Sequence, residues 1–213
     1  MSTSSQSRPG PLAHHRNLVL GLVVALWLAG TGIALWWFQA QVVRPFLAAD
    51  SAPPNALQVE QGLQQLLDQI PAPTNTNTVT LLHFWNPECL CNQVSKRHFE
   101  GLIEAFDQQQ LRIVAVAPAG TPEATLQQFR QLNGDRILLI KAASGFQPPV
   151  SPALALLRSD GALGYYGAYG FGALCSVAND DFFPNIVRRM STGEYGPFVN
   201  VAGSGCFCPW PHD

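Results

Sequence analysis

The sequence predicts an α/β domain built from βαβ units and carried on one membrane-spanning helix. Three observations lead to this reading. Residues 18–38 run without a single charge. Short apolar runs at 79–85, 111–117 and 137–140 alternate with stretches of helical periodicity, the pattern of strands joined by crossover helices around a parallel core. The first of those runs meets Asn86-Pro87 and then Cys89 and Cys91, so a strand stops at a turn and delivers a cysteine to a helix start.

The N-terminal part divides at the apolar run. Residues 1–17 are polar, with Arg8, Arg16, His14 and His15 and no acid. The 21 residues that follow, LVLGLVVALWLAGTGIALWWF, cover the roughly 30 Å of bilayer hydrocarbon at about 1.5 Å per residue. Trp36 and Trp37 fall where an interfacial aromatic belt belongs, and Gly21, Gly30 and Gly32 are tolerated in membrane helices. A cleaved signal peptide has a shorter apolar core and a small-x-small site, which Gln39-Ala40-Gln41 does not supply. Cations before the span outnumber Arg44 after it. The positive-inside rule then leaves the N-terminus in the cytoplasm and residues 39–213 outside, which in a bacterium is the periplasmic side of the inner membrane. With 12 % charged residues and a net charge of −2, no basic face for nucleic acid is expected.

The remaining elements follow in order. Residues 39–55, with Pro45, Pro53 and Pro54, read as a linker, and residues 56–70 as a helix with Leu57, Leu63, Leu66, Leu67 and Ile70 at helical spacing. After the strand at 79–85, a helix over 91–108 turns Val94, Phe99, Leu102, Ile103 and Phe106 to the core. The strand at 111–117 comes next. Thr121-Pro122-Glu123 then reads as a cap, a first-turn proline and a first-turn acid, opening a helix that Asn133-Gly134 closes. The apolar run 153–157, the turn Arg158-Ser159-Asp160-Gly161 and the run 163–167 form a hairpin. Asn179 caps a last helix over 180–190. The glycine-aromatic stretch 167–172 opens no helix after a strand with phosphate-loop spacing, so nucleotide binding is not indicated.

The cysteine chemistry centres on Cys89. The dipole and unpaired N–H groups of a helix N-terminus stabilise a thiolate, and the thiolate is the nucleophile. Phe84-Trp85-Asn86-Pro87-Glu88-Cys89 resembles the strand end and first active-site cysteine of the thioredoxin superfamily, F-W-x-x-x-C-x-x-C. The resemblance covers residues 79–190. It implies a thioredoxin-like fold, a central mixed sheet flanked by helices, with Cys89 as nucleophile. The family's second cysteine falls on Asn92, and Cys91 stands one residue early. The family also places a cis-proline before the hairpin, facing the cysteine. Here that position is Pro152, with Ser151 as its neighbour. Trp85 and Glu88 are candidate supporting residues.

Residues 193–213 are unlike a thioredoxin end. They are rich in Gly and Pro and carry a second C-x-C, Cys206-Phe207-Cys208. The chain thus resembles uncharacterised membrane-anchored bacterial thioredoxin-like proteins with a terminal C-x-C. The expected division is 1–17 cytoplasmic, 18–38 anchor, 39–78 linker and leading helix, 79–192 thioredoxin-like domain and 193–213 tail. Three functions are open. The first is a membrane-anchored thiol–disulfide oxidoreductase without a cofactor, in which Cys89 attacks a protein thiol or disulfide partner and Cys91 resolves the mixed disulfide. Cys206 and Cys208 then form a second redox pair, with Cys175 as a relay. The second is binding or assembly of copper, zinc or an iron–sulfur cluster through Cys89, Cys91, Cys175, Cys206 and Cys208. The third is a binding domain without catalysis. His83 reads as a satisfied core histidine, and His98 and His212 have no supporting pattern. The apolar tail residues Phe198, Val199, Val201, Phe207 and Trp210 are expected to fold the tail back and bring a tail cysteine near Cys175 or the Cys89 site.

Overall fold

A computed structural model describes residues 11–142, 146–172 and 181–211. Cys175, Asn179 and His212 lie outside the described residues. The chain divides into two compact units, Met1–Gln41 and Val42–Asp213. The first holds helix α1 (Pro11–Val42), whose stretch His15–Ala40 is long and apolar enough to cross a membrane. Apolar side chains point to all sides of it rather than to one stripe, unlike the helix of a soluble domain that packs on a core.

The second unit runs β1 (Val43–Pro45), α2 (Ala56–Leu67), β2 (Val79–Phe84), α3 (Asn92–Ala105), β3 (Leu111–Pro118), α4 (Glu123–Asn133), β4 (Ile137–Ala142), β5 (Val150–Ser151), β6 (Ala153–Leu157), β7 (Leu163–Gly167), α5 (Phe182–Ser191), β8 (Phe198–Asn200), β9 (Ser204–Cys206) and β10 (Cys208–Pro209). The main sheet has the order β4-β3-β2-β6-β7-β8. Strands β2, β3 and β4 are parallel, β6 pairs antiparallel with β2, β7 pairs antiparallel with β6, and β8 closes the edge parallel to β7. This mixed sheet between helices is a thioredoxin-like α/β fold.

Burial follows the two-residue period of the strands. On one face Leu82, Phe84, Val114, Val116, Ala155 and Tyr166 pack with Val59, Leu63 and Leu66 of α2. On the other Leu81, Ile113, Leu154 and Tyr165 pack with Leu102 of α3 and Phe183, Ile186 and Val187 of α5. Helix α2 begins in a reciprocal cap: Asn55 Oδ1 accepts the Gln58 N–H at 2.9 Å, and Gln58 Oε1 accepts the Asn55 N–H at 3.0 Å.

Several ends differ from the sequence reading. Helix α2 stops at Leu67, and single turns bring Gln69 and Ile70 to Pro71. Helix α3 starts at Asn92 with Cys91 as its cap residue and ends at Ala105. Thr121 is buried and does not cap; Pro122 stands at the cap position and α4 starts at Glu123. The larger difference lies in the segments read as linker and tail. Val43–Pro45 is a strand paired antiparallel with β9, and β8 belongs to the main sheet. The segment after residue 192 is part of the same compact unit and folds back as its apolar residues indicated, tied in by Val201, Phe207 and Trp210, all buried in the α2-side core; what differs is that it does so as strands.

Candidate functional site

The loop between β2 and α3 is braced from within. The Asn86 N–H donates to Ser151 Oγ at 3.1 Å, and that hydroxyl donates to the Phe84 carbonyl at 3.2 Å. Asn86 Oδ1 accepts the Glu88 N–H at 3.0 Å, and the Asn86 carbonyl accepts the Cys89 N–H at 3.0 Å and the Asn92 side-chain amide. Cys89 is thus fixed between the end of β2 and the start of α3. Its Sγ lies 3.4 Å from the Ser151 carbonyl oxygen, and the Ser151–Pro152 peptide bond is cis.

The tail runs past this loop as a short antiparallel partner of β5, with Cys208 opposite Ser151 and Pro209 opposite Val150. The Trp210 N–H adds a bond of 3.2 Å to the Pro149 carbonyl. Alternate residues of an extended chain point the same way. Cys206 and Cys208 both meet the loop, while Phe207 between them enters the core and stands edge-on to Phe46 at 5.4 Å. Two disulfides result. Cys89 is bonded to Cys208, with Cα atoms 5.7 Å apart, and Cys91 to Cys206, with Cα atoms 5.4 Å apart.

This corrects the pairing expected from sequence. Cys89 and Cys91 do not form one redox pair, nor Cys206 and Cys208 another; each C-x-C is shared out between two bonds to the other. The two bonds are unequal in access. Cys89, Cys91 and Cys206 are 4 %, 4 % and 3 % exposed, whereas Cys208 is half-buried. The Cys91–Cys206 bond is internal, and Cys208 Sγ belongs to the outermost cysteine of the cluster.

Other candidates fall elsewhere. Trp85 packs on Phe129 of α4, with ring centroids 4.4 Å apart and the rings tilted by 46°, so it supports α4 packing. Glu88 is exposed on the loop. His83 is buried within 2.8 Å of the Tyr169 hydroxyl and stacks on Phe99 at 4.3 Å. Burial pushes its pKa down to about 3, so it is a neutral core residue. His98 is buried with its ring edge-on to Phe183 at 6.2 Å. Two residues were not singled out as functional by sequence, Asn86 and Asn92. The available signal was Asn92 itself, which stands where the superfamily carries its second cysteine and here ties the loop to α3.

The matched family takes in the whole of this arrangement. Residues 58–210 match the family described as "Domain of unknown function (DUF6436)". This chain belongs to the DUF6436 family. The match runs from α2 to Trp210, so both C-x-C pairs and the cis-proline are inside the DUF6436 domain. No curated protein matches the chain. Among solved structures, an uncharacterized conserved protein from Geobacillus kaustophilus superposes with a TM-score of 0.51 at 9 % identity, covering 64 % of this chain and 78 % of its own. A secreted disulfide oxidoreductase of Mycobacterium tuberculosis has a TM-score of 0.38 at 18 % identity, over 53 % and 82 %. StoA of Bacillus subtilis has a TM-score of 0.38 at 15 % identity, over 53 % and 84 %. At these identities the likeness of this DUF6436 protein to known structures concerns the fold.

Proposed function

We propose that this protein is a membrane-anchored thiol–disulfide oxidoreductase in which Cys89 and Cys208 form the exchanging disulfide. The observation that carries the reading is the bond between Cys89, set before the N-terminus of α3, and the half-buried Cys208 on a strand paired with Ser151. An incoming thiolate from a partner dithiol meets Cys208 first. It attacks Cys208 Sγ, the Cys89–Cys208 bond breaks, and Cys89 leaves as a thiolate facing the positive end of the α3 dipole. The partner's second thiol then attacks the partner's own sulfur in the mixed disulfide. Cys208 is released as a thiolate, and the partner leaves oxidised by two electrons. Run backwards, the same steps oxidise the reduced pair. The Cys91–Cys206 disulfide behind it can accept a second pair of electrons once the outer pair is reduced.

The same reading places residues 18–38 of α1 across the inner membrane and residues 39–213 on the periplasmic side. Its support is the apolar helix, the cations Arg8 and Arg16 before it, and disulfides that persist in oxidising compartments. A reporter fused after residue 213 should be active only outside the cytoplasm; a cytoplasmic signal would reverse the orientation.

The exchange is tested by reacting the oxidised full chain with a labelled cysteine peptide and mapping the adduct by mass. Label on Cys208 with Cys89 newly alkylatable is the expected result. First label on Cys91 or Cys206 would overturn the assignment of the outer pair. Failure of either disulfide to exchange with the peptide or with a protein dithiol would remove the oxidoreductase reading.

A further inference from the structure

Four cysteine sulfurs converge at one place in this fold, and what brings them together is more than their mutual bonds. The Sγ atoms of Cys89, Cys91 and Cys208 all lie within 4.8 Å of one another, and the Cys206 sulfur adjoins them through its bond to Cys91. The loop side of the cluster is held by Asn86, Asn92 and Ser151. The tail side is held by backbone pairing of β9 with β1 and of β10 with β5. Phe207 and Trp210 are each 2 % exposed, on either side of Cys208. Cys206 also donates its N–H to the Gly172 carbonyl at 3.3 Å. None of these contacts involves sulfur, so each remains available to both C-x-C segments when the disulfides are broken.

We infer that the reduced protein binds one zinc ion through Cys89, Cys91, Cys206 and Cys208. Zinc takes four thiolates tetrahedrally at about 2.3 Å, which sets the sulfurs about 3.8 Å apart. The three grouped sulfurs lie within 4.8 Å of one another, and the bonded Cys89 and Cys208 sulfurs, 2.08 Å apart, must separate on reduction to reach that spacing. The fourth vertex is reached when the two bonded pairs part, a movement of side chains on fixed backbones. Two equivalents of a dithiol first reduce the two disulfides to four thiols, themselves becoming two disulfides. The zinc ion then displaces four thiol protons, and the tetrathiolate centre carries a net charge of −2. The N-terminal end of α3 beside it offsets part of that charge, and the burial of Cys89, Cys91 and Cys206 keeps water from competing. Disulfides and zinc draw on the same sulfurs, so the two states exclude each other. The inference rests on the cysteines being reducible, and it is independent of any exchange with a protein partner.

The test uses the full chain in detergent, reduced anaerobically with a phosphine and titrated with cobalt(II) as a spectroscopic probe. Expected are one ion per chain, thiolate-to-cobalt charge transfer, tetrahedral d–d bands, and displacement by zinc. The oxidised chain, which keeps every histidine and carboxylate, should give none of these. A Cys206→Ser variant should lose charge-transfer intensity. Amide exchange at Phe207 and Trp210 reports the framework directly, and protection in the reduced, metal-free chain is expected. Equal cobalt binding by the oxidised chain, octahedral spectra, or a tail that exchanges like a free peptide once reduced would each overturn the site.

Discussion

At the scale of single residues, the most telling group is one the chemistry does not use. His83 lies on β2 among Phe99, Tyr169 and the second core, and burial lowers its pKa from 6.5 to about 3. The folded chain takes up that proton only near pH 3, while the unfolded chain takes it up near 6.5. Between those values the unfolded state binds more protons, so stability falls as pH drops through the window. At pH 4.5 the loss from this one residue is about 2–3 kcal/mol relative to neutral pH. Urea unfolding of the disulfide-intact chain at pH 7.5 and 4.5 should show it. His83→Gln should flatten the dependence by that amount, even if its stability at pH 7.5 is lower. Parallel profiles for the two proteins would mean that His83 does not resist protonation. The same residue marks how far sequence carried at this scale. A polar ring in an apolar strand pointed to a core histidine, whereas its Tyr169 partner, 86 positions away, carried no local signal.

Among the elements, those with a full period were legible and those of two or three residues were not. Helix α2, strands β2 and β3 and the β6–β7 hairpin each repeat their pattern often enough to be read. β1, β9 and β10 hold two or three residues each, too few to express an alternation, and they exist because the tail pairs with Val43–Pro45 and with β5. Gly167 is where that meeting is tightest. It ends β7 with φ of 149°, and a Cβ there would stand 2.0 Å from the Asn200 carbonyl oxygen of β8. Backbone cannot yield as a flexible side chain does, so Gly167→Ala should force β8 away and cost about 1–3 kcal/mol. A lowered urea midpoint, with slower recovery of the two native disulfides on oxidative refolding, is the expected outcome. Trp210 tests the other end of the tail. It is 2 % exposed with its ring edge-on to Phe84 at 6.0 Å. Trp210→Ala should cost about 3–5 kcal/mol, as removal of a core aromatic does. A cost within experimental error would mean that the sulfurs alone hold the tail.

For the molecule as a whole, the thioredoxin-like plan was legible from Phe84 to the hairpin because each element there is local. The return of the tail to the Cys89 site was legible in its apolar residues, but which cysteines pair was not, because the bonds join positions more than a hundred residues apart. The Cys89–Cys208 bond spans 119 residues and the Cys91–Cys206 bond 115. By loop-closure entropy, either bond made alone in the unfolded chain contributes about 5 kcal/mol. Once one is made, the other closes a ring of only about six residues, and its share falls to about 2 kcal/mol. The two bonds are therefore largely redundant as constraints. Replacing one pair, Cys91→Ser with Cys206→Ser, should cost about 2 kcal/mol, and replacing Cys89 and Cys208 should cost a similar amount. Replacing all four should cost about 7 kcal/mol, well above the sum of the two paired replacements. Unfolding free energies of the wild type, the two paired variants and the quadruple variant form a cycle that measures this directly. Additive costs would mean that native-state contacts of the sulfurs, rather than restriction of the unfolded chain, carry their contribution to stability.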